Sequence, residues 1–233
     1  VVASAAGSSA AYATAWRHAV LIEHLYWTSN IKCVANCSFA GLIDRMARVV
    51  WCCLPRFDGD PVFHSLLGTR GEEGDGAFAI ELEGVVRSEQ AYLENTAVVV
   101  TRLFDGSGNA IEITDFAPRF QAKGRMFRPN ALVRRVRVLA GHPRIRVRCR
   151  PRFAYGSREP EITFGSNHVR FVANGLTLRL TTNAPVTYVR DETAFLIDGP
   201  LSFYLGPDES LTNHPDLLCR EFEEQTTHYW RTW

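Results

Sequence analysis

Residues 132–150 read LVRRVRVLAGHPRIRVRCR, two runs of apolar and basic residues on either side of a Gly-His-Pro break. Successive side chains of an extended strand point to opposite faces. The second run therefore sets Arg144, Arg146, Arg148 and Arg150 on one face and Ile145, Val147 and Cys149 on the other. That period of two marks a strand with one arginine-lined face and one hydrophobic face. The surrounding window, Phe116 to Phe153, holds 12 Arg and Lys residues and no Asp or Glu. Three uses of such a face are open. The arginines can pair with carboxylates on neighbouring strands, bind a polyanion, or meet a further domain. The whole chain has 26 basic and 25 acidic residues, a formal charge of +1, which weighs against a dedicated nucleic-acid binder.

Working outward, the chain from Val49 on is a series of short β-rich segments separated by turn residues. They include VVWCCL, AFAIELEG, TAVVVTRLF, AIEITDF, EITF, HVRFV, LTLRL and TYVR. This spacing predicts a large antiparallel sandwich or barrel rather than βαβ units. Asp105 to Asn109 should reverse one strand into the next, Asn174 and Gly175 should form a tight turn, and Pro143 should mark a third reversal. The period changes in DLLCREFEEQTTHYWRTW, where Leu218, Phe222, Tyr229 and Trp233 suggest one helical stripe. Pro215 suits the helix start, and Asp216 and Arg231 complement its dipole. Tyr229, Trp230 and Trp233 are large aromatics at the end of that helix and need a surface to pack against. Residues 1–15 are alanine-rich and weakly patterned, which predicts a loose segment, with order beginning near Trp16. The expected division is 1–15 loose, 16–212 β domain and 213–233 connecting helix.

Of the 233 residues, 46% are hydrophobic and 22% charged, which excludes wholesale disorder. No run approaches the length of a membrane-spanning helix, so no membrane partner is expected. Six cysteines, at 33, 37, 52, 53, 149 and 219, are too few for a disulfide scaffold and lack a ligand pattern, so free thiols are expected and no metal or cofactor. No secretory signal is evident, which favours the cytoplasm over secretion, although a first residue of Val1 marks the chain as processed, trimmed or a fragment.

The segment VVWCCLPRFDGDPVF concentrates aromatics, turn residues and charge. Pro55 fixes φ, Asp58 to Pro61 make a turn, and Arg56 and Asp58 can orient each other. Trp51, Phe57 and Phe63 could form a sugar-stacking surface or part of a core. Paired carboxylates are the signature of glycoside hydrolysis. Asp58 with Asp60, Glu72 with Glu73, and Glu221 with Glu223 or Glu224 are the sequence pairs, but Glu72 and Glu73 read as a solvated loop and the last set as a solvated helix face. GxSxG, HExxH, P-loop and Rossmann patterns are absent, and His18 and His24 are spaced too widely for a same-face helical pair. No catalytic centre emerges from the residues alone.

The stretch from Asn36 to Gly68, NCSFAGLIDRMARVVWCCLPRFDGDPVFHSLLG, resembles the opening of bacterial family 15 glycoside hydrolases, the glucoamylase and trehalase-like group. The residues that carry the resemblance are Asn36, Cys37, Trp51, Cys52 or Cys53, Pro55, Arg56, Phe57 and Asp58. It continues in order through Tyr92–Thr96, Thr114–Pro118, Leu132–Arg135, Pro151–Gly156 and Tyr229–Trp233. Two departures stand out: Ala35 where relatives often have glycine, and Tyr155 where an acid is common, which removes a partner for Arg152.

The resemblance implies a mainly β fold, a large antiparallel β-supersandwich with a carboxy-terminal connecting helix. It implies a parent enzyme whose two catalytic glutamates sit in a following (α/α)6 barrel, so no catalytic residue is assigned here. It also implies that Trp51, Arg56, Phe57 and Asp58 belong to an interdomain or pocket-rim corner. The terminal-helix interface is Tyr229, Trp230 and Trp233. The implied partners are the catalytic barrel and an α-glucoside substrate at a shared interface. The competing expectation is a stand-alone carbohydrate-binding or oligomerisation module.

Overall fold

The computed structural model describes residues 31–68, 75–173 and 175–233. The expectations for residues 1–15, Trp16, His18, His24, Glu72, Glu73 and Asn174 lie outside them. Along the chain the strands are β1 (Lys32–Ala35), β2 (Ala40–Ile43), β3 (Val49–Cys53), β4 (Pro61–Phe63), β5 (Phe78–Leu82), β6 (Val85–Tyr92), β7 (Val99–Asp105) and β8 (Ala110–Phe116). They continue as β9 (Phe120–Ala122), β10 (Arg125–Phe127), β11 (Leu132–Ala140), β12 (Arg144–Cys149), β13 (Glu161–Phe164), β14 (His168–Ala173), β15 (Leu176–Thr182), β16 (Phe195–Leu196) and β17 (Leu201–Pro207). Two helices follow β15 and β17: α1 (Val186–Arg190) and α2 (Pro215–Thr232).

These strands form a seven-stranded sheet, β1-β2-β3-β5-β12-β16 with β4 beside β3, and an eight-stranded sheet, β13-β14-β15-β17-β11-β8-β7-β6. A small hairpin, β9-β10, stands apart. The protein is a mainly β, antiparallel supersandwich with a trailing helix. Its core lies between the inner faces of the sheets. Val34, Ile43, Ile80 and Val147 come from one sheet, and Leu103, Ile113, Val136, Leu180 and Phe203 from the other, all at 0–1% exposure. The predicted reversal at Asp105–Asn109 joins β7 to β8, whose register runs from Phe104 opposite Ala110 to Val99 opposite Asp115. Asp105 Oδ1 accepts hydrogen bonds from the N–H groups of Ser107 and Asn109 and so holds that turn. Gly175, at φ +84°, lies in the β14–β15 connection as expected.

Pro143 does something different from what its position suggests. It does not reverse β11 into an adjacent strand, because β11 is already paired on both sides, with β8 and β17. With no free edge beside it, the chain crosses to the other sheet, where β12 pairs with β5 and β16. Gly141 makes the bend at φ +68°, in the left-handed region that glycine adopts without strain.

One side chain joins the two layers. Arg134 on β11 points inward and is fully buried, as is Asp115 directly opposite it on β8. Its Nε donates to Asp115 Oδ1 at 2.7 Å, and its Nη1 donates to the carbonyl of Phe78 on β5 at 2.6 Å. Nη2 reaches the carbonyl of Ala47, between β2 and β3, and the guanidinium lies 4.6 Å from the centre of the Phe78 ring. The next residue, Arg135, points to the outer face and holds α2 there. Its Nη1 donates to Glu223 at 2.6 Å and its Nη2 to Asp216 at 3.2 Å. Under α2 lies a second cluster of Val98, Phe116, Val133, Tyr204 and Cys219.

The contact line of α2 differs from the predicted stripe. Pro215, Cys219 and Thr226 are its buried residues, and Phe222 packs beside them, while Leu218 is only half-buried and Trp233 is 86% exposed. Small residues let the helix approach the sheet closely, which a line of larger side chains would prevent. Glu223 also departs from the solvated role read from the sequence, since it is committed to Arg135.

Replacing Arg134 with Met leaves the Asp115 carboxylate buried without its partner. The expected loss is about 3–5 kcal/mol of unfolding free energy in urea titrations. The double change Arg134→Met with Asp115→Leu is expected to recover a large part of it. A single-mutant loss below about 1 kcal/mol would show that the pair does not hold the sheets together.

Candidate functional site

The residues singled out from the sequence divide into two places. The corner follows β3: a cis Leu54–Pro55 peptide leads into Arg56, Phe57 and Asp58, and β4 begins at Pro61. Arg56 donates from Nε and Nη2 to the two carboxylate oxygens of Asp58 at 2.9 and 2.8 Å, and Gly59 N–H donates to Arg56 O at 3.1 Å. The Arg56 hydrogen bond holds the Asp58 carboxyl below the usual carboxylate range, so it is a fixed anion and not a proton donor at neutral pH. Both side chains and Phe57 project into solvent. Trp51 is half-buried on β3, and Phe63 is fully buried in the core. The three aromatics therefore form no common stacking surface. Beside the corner is a 290 Å³ hollow whose walls include Pro55, Asp60, Phe153, Arg158 and Leu176.

The second place is the end of α2. Tyr229 and Trp230 are half-buried and Trp233 is exposed. A groove of 760 Å³ runs between β9 and the helix, bordered by Phe120, Gln121, Gln225, His228, Tyr229 and Trp233. Trp230 Nε1–H is buried with no acceptor among the described residues.

A short relay of contacts, not foreseen in the sequence, joins these two places. Asn36 is fully buried in the turn between β1 and β2. Its Nδ2 donates to the carbonyls of Pro118 and Pro129 at 3.0 and 2.7 Å, and its Oδ1 accepts from the N–H groups of Ser38 and Phe39 at 2.9 Å each. On one side, Asn130 Nδ2 donates to Pro55 O at 2.5 Å and ties this knot to the corner. On the other, Arg119 Nη1 donates to Asn36 O at 2.6 Å while its guanidinium sits 5.0 Å from the Tyr229 ring and 5.7 Å from Trp230. Arg119 N–H also donates to Thr226 Oγ1 at 3.1 Å. The corner and the helix end are thus braced to the same buried asparagine. The sequence signal for Asn36 was the motif resemblance. Asn130 had none, because its partner lies 75 residues away.

Among the described residues the buried carboxylates are held by arginines rather than paired with one another. Asp44 is bound by Arg48 and Asp115 by Arg134; Glu192 is bound by Arg150, and Asp75 and Glu159 by Arg152. Arg152 thus has two acids despite Tyr155. Burial pushes the Asp115 carboxyl up, as a general acid would need, but it is sealed between the sheets with no exposed surface. For Glu112, burial pushes upward, but the hydrogen bonds and charges of Arg137 and Arg102 overcome it and hold the carboxyl low. The arginine face of β12 is also engaged: Arg144 meets Glu83, Arg148 meets Glu81 and Arg150 meets Glu192, at 3.2, 3.2 and 2.7 Å. The fourth arginine, Arg146, has a buried Nε with no hydrogen-bond partner among the described residues, so carboxylate pairing, the first of the three uses left open by the sequence, accounts for three of the four. All six cysteines are free thiols. Among the described residues no group of three or more His, Cys, Asp or Glu side chains could hold a metal, and no helix is long and apolar enough to cross a membrane.

A profile described as "Trehalase-like, N-terminal" matches residues 17–191. The chain belongs to this trehalase-like amino-terminal domain family. Its β-sandwich and matched motifs agree with the domain that opens family 15 glycoside hydrolases. No curated protein and no solved structure matches it. The trehalase-like fold extends past the matched stretch. β17 lies between β15 and β11, so the eight-stranded sheet is incomplete without residues 201–207.

Two outcomes are expected from these contacts. Asn36→Ala leaves two carbonyls and two N–H groups without partners and should cost about 2–4 kcal/mol in chemical denaturation; an unchanged midpoint would contradict the bracing role. Glu112, depressed in the folded state, contributes stability that is fully present above its unfolded value of about 4.3 and is lost as pH falls through the lower folded value. The stability gap between the native chain and Glu112→Gln should be constant from about pH 6 to 8 and shrink below about pH 4. A gap that does not narrow on acidification would contradict that assignment.

Proposed function

We propose that this trehalase-like domain is the non-catalytic front of a family 15-type glycoside hydrolase. In this reading it stabilises an (α/α)6 catalytic barrel and shapes the rim of its pocket. The observation that carries the reading is the convergence of the corner and the helix end on Asn36, while Asp58 is held by Arg56 and Glu223 by Arg135. Such a scaffold presents rigid groups to a neighbour and, among its described residues, commits its buried carboxylates to arginines.

The division of labour follows. Two glutamates of the barrel protonate the glycosidic oxygen and activate water, the inverting route. Arg56, Phe57 and Asp58, with Trp51 behind them, stand at the interdomain or pocket-rim surface. Tyr229, Trp230 and Trp233 continue along α2 into the interface with the barrel. Residues 213–233 are then the connecting helix, and the substrate is an α-glucoside such as trehalose or an α-glucan.

The isolated 233-residue chain is expected to hydrolyse neither maltose nor trehalose, and the polypeptide made by its source is expected to exceed twice 26.2 kDa. In that longer protein, Phe57→Ala and Trp233→Ala should lower the barrel's thermal midpoint and leave the isolated domain's own midpoint unchanged. Turnover that copurifies with the 233-residue chain, or a source protein of about its own mass, would overturn the reading.

A further inference from the structure

The outer strands of the two sheets are unequal. β1 and β13 have four residues each and β16 has two, whereas β6 has eight. Among the described residues β6 pairs with β7 alone, and no described strand takes the backbone groups on its other side. Which groups these are follows from register. Leu93 N–H donates to Val98 O at 2.8 Å, and the β6–β7 pairing continues with Ala91 opposite Val100, Glu89 opposite Arg102 and Arg87 opposite Phe104. Hydrogen-bonded pairs alternate along an antiparallel ladder. The N–H and C=O groups of residues 87, 89 and 91 therefore face β7, and those of Ser88, Gln90 and Tyr92 face outward.

The side chains along this edge carry a pattern. Arg137, Glu112, Arg102 and Glu89 lie directly opposite one another across β11, β8, β7 and β6, a row of alternating charge on the outer face. Arg102 and Arg137 both bind Glu112. Arg87, two residues from Glu89 on the same face, pairs with it and stacks 3.7 Å over the Phe104 ring.

We propose that β6 is a self-association edge, and that its partner is β6 of a second copy of this chain, antiparallel about a two-fold axis at Ser88. At that axis Ser88 faces its symmetry mate as a hydrogen-bonded pair, which its outward backbone groups permit. Arg87 of each copy then lies opposite Glu89 of the other, in the non-hydrogen-bonded position where side chains approach most closely. The row becomes Arg137, Glu112, Arg102, Glu89 and the second copy's Arg87, with signs alternating throughout. Registers centred on Arg87 or on Glu89 set like charges face to face. The bulge at Val86 ends regular pairing at that side, so the contact is short and the dimer forms with concentration. Charges and a bulge ordinarily keep an edge from pairing indiscriminately; here the Ser88 register is the one that sets Arg87 of each copy opposite Glu89 of the other. A two-fold interface of this kind is self-complementary and closes at two copies. It needs no catalytic partner, and its failure would leave the reading of the corner untouched.

The test uses the 233-residue chain with Cys33→Ser and Cys37→Ser, which removes its two exposed thiols. Adding Ser88→Cys should give a disulfide-linked dimer on mild oxidation, because hydrogen-bonded antiparallel partners stand about 5.5 Å apart at Cα, within disulfide range. Ser107→Cys, in the β7–β8 turn, should remain monomeric under the same treatment. In sedimentation equilibrium, Arg87→Glu should weaken association about tenfold or more and raised salt should weaken it too. Arg87→Glu with Glu89→Arg should restore it, and circular dichroism should show each variant folded. A chain that stays monomeric across the dilution series would overturn the proposal. So would a dimer indifferent to Arg87→Glu that gives no Ser88→Cys cross-link.

Discussion

A guanidinium with no access to water must find acceptors or destabilise the fold by several kilocalories per mole, and each of the three nitrogens of Arg134 finds one by reaching into both layers at once. Its carboxylate partner, Asp115, comes from the adjacent strand, but the carbonyl of Phe78 lies on a strand of the opposite sheet and that of Ala47 in the turn joining two of that sheet's strands. Hydrophobic contact between two sheets is non-directional and tolerates sliding. Hydrogen bonds from one planar group to fixed carbonyls do not. The spacing and lateral register of the sandwich are therefore set at this point, and the apolar side chains pack around a geometry already chosen.

The same strand extends that logic to the third layer. Arg134 and Arg135 are consecutive, so the pleat sends them to opposite faces. One joins sheet to sheet and the other joins sheet to helix through Glu223 and Asp216. Ser202 on β17 also donates to Asp216, so the start of α2 is gripped by two neighbouring strands. Further along the helix, Thr226 and the stacked Arg119 repeat the grip from the β9 side. The position of Tyr229 and Trp230 is thus transmitted from the core through polar contacts with defined directions.

Local pattern and non-local pairing differ in how far the sequence reveals them. The alternation in β12, the turn at Asp105–Asn109 and the proline start of α2 are local, and the structure has them where the spacing places them. Sheet membership is not local. Residues 132–150 read as two strands about a turn, yet the strands lie in different sheets because β11 has no vacant side. Arg134 could not be separated by pattern from the surface arginines around it, since its burial depends on acceptors 19, 56 and 87 residues away. The Arg56–Asp58 corner was legible from its turn residues and adjacent charges, Asn36 was visible only through motif resemblance, and the link between them through Asn130 was not visible at all. The helix stripe was half legible: the period was correct, but close approach to the sheet selected Cys219 and Thr226 rather than the largest apolar residues.

The position of β17 bears on how such a chain is made. Strands β6 to β8, β11 and β13 to β15 all leave the ribosome before it, yet it lies between β11 and β15 in the finished sheet. Until residues 201–207 emerge, the nascent sheet is two separate blocks, each with an open edge of backbone donors and acceptors. The last of this sheet's eight strands in chain order is the one that closes the gap and brings Ser202 beside Asp216. Acquisition of the sandwich and seating of the terminal helix are thereby coupled in time, so the helix end is fixed in place only once the layer beneath it is whole.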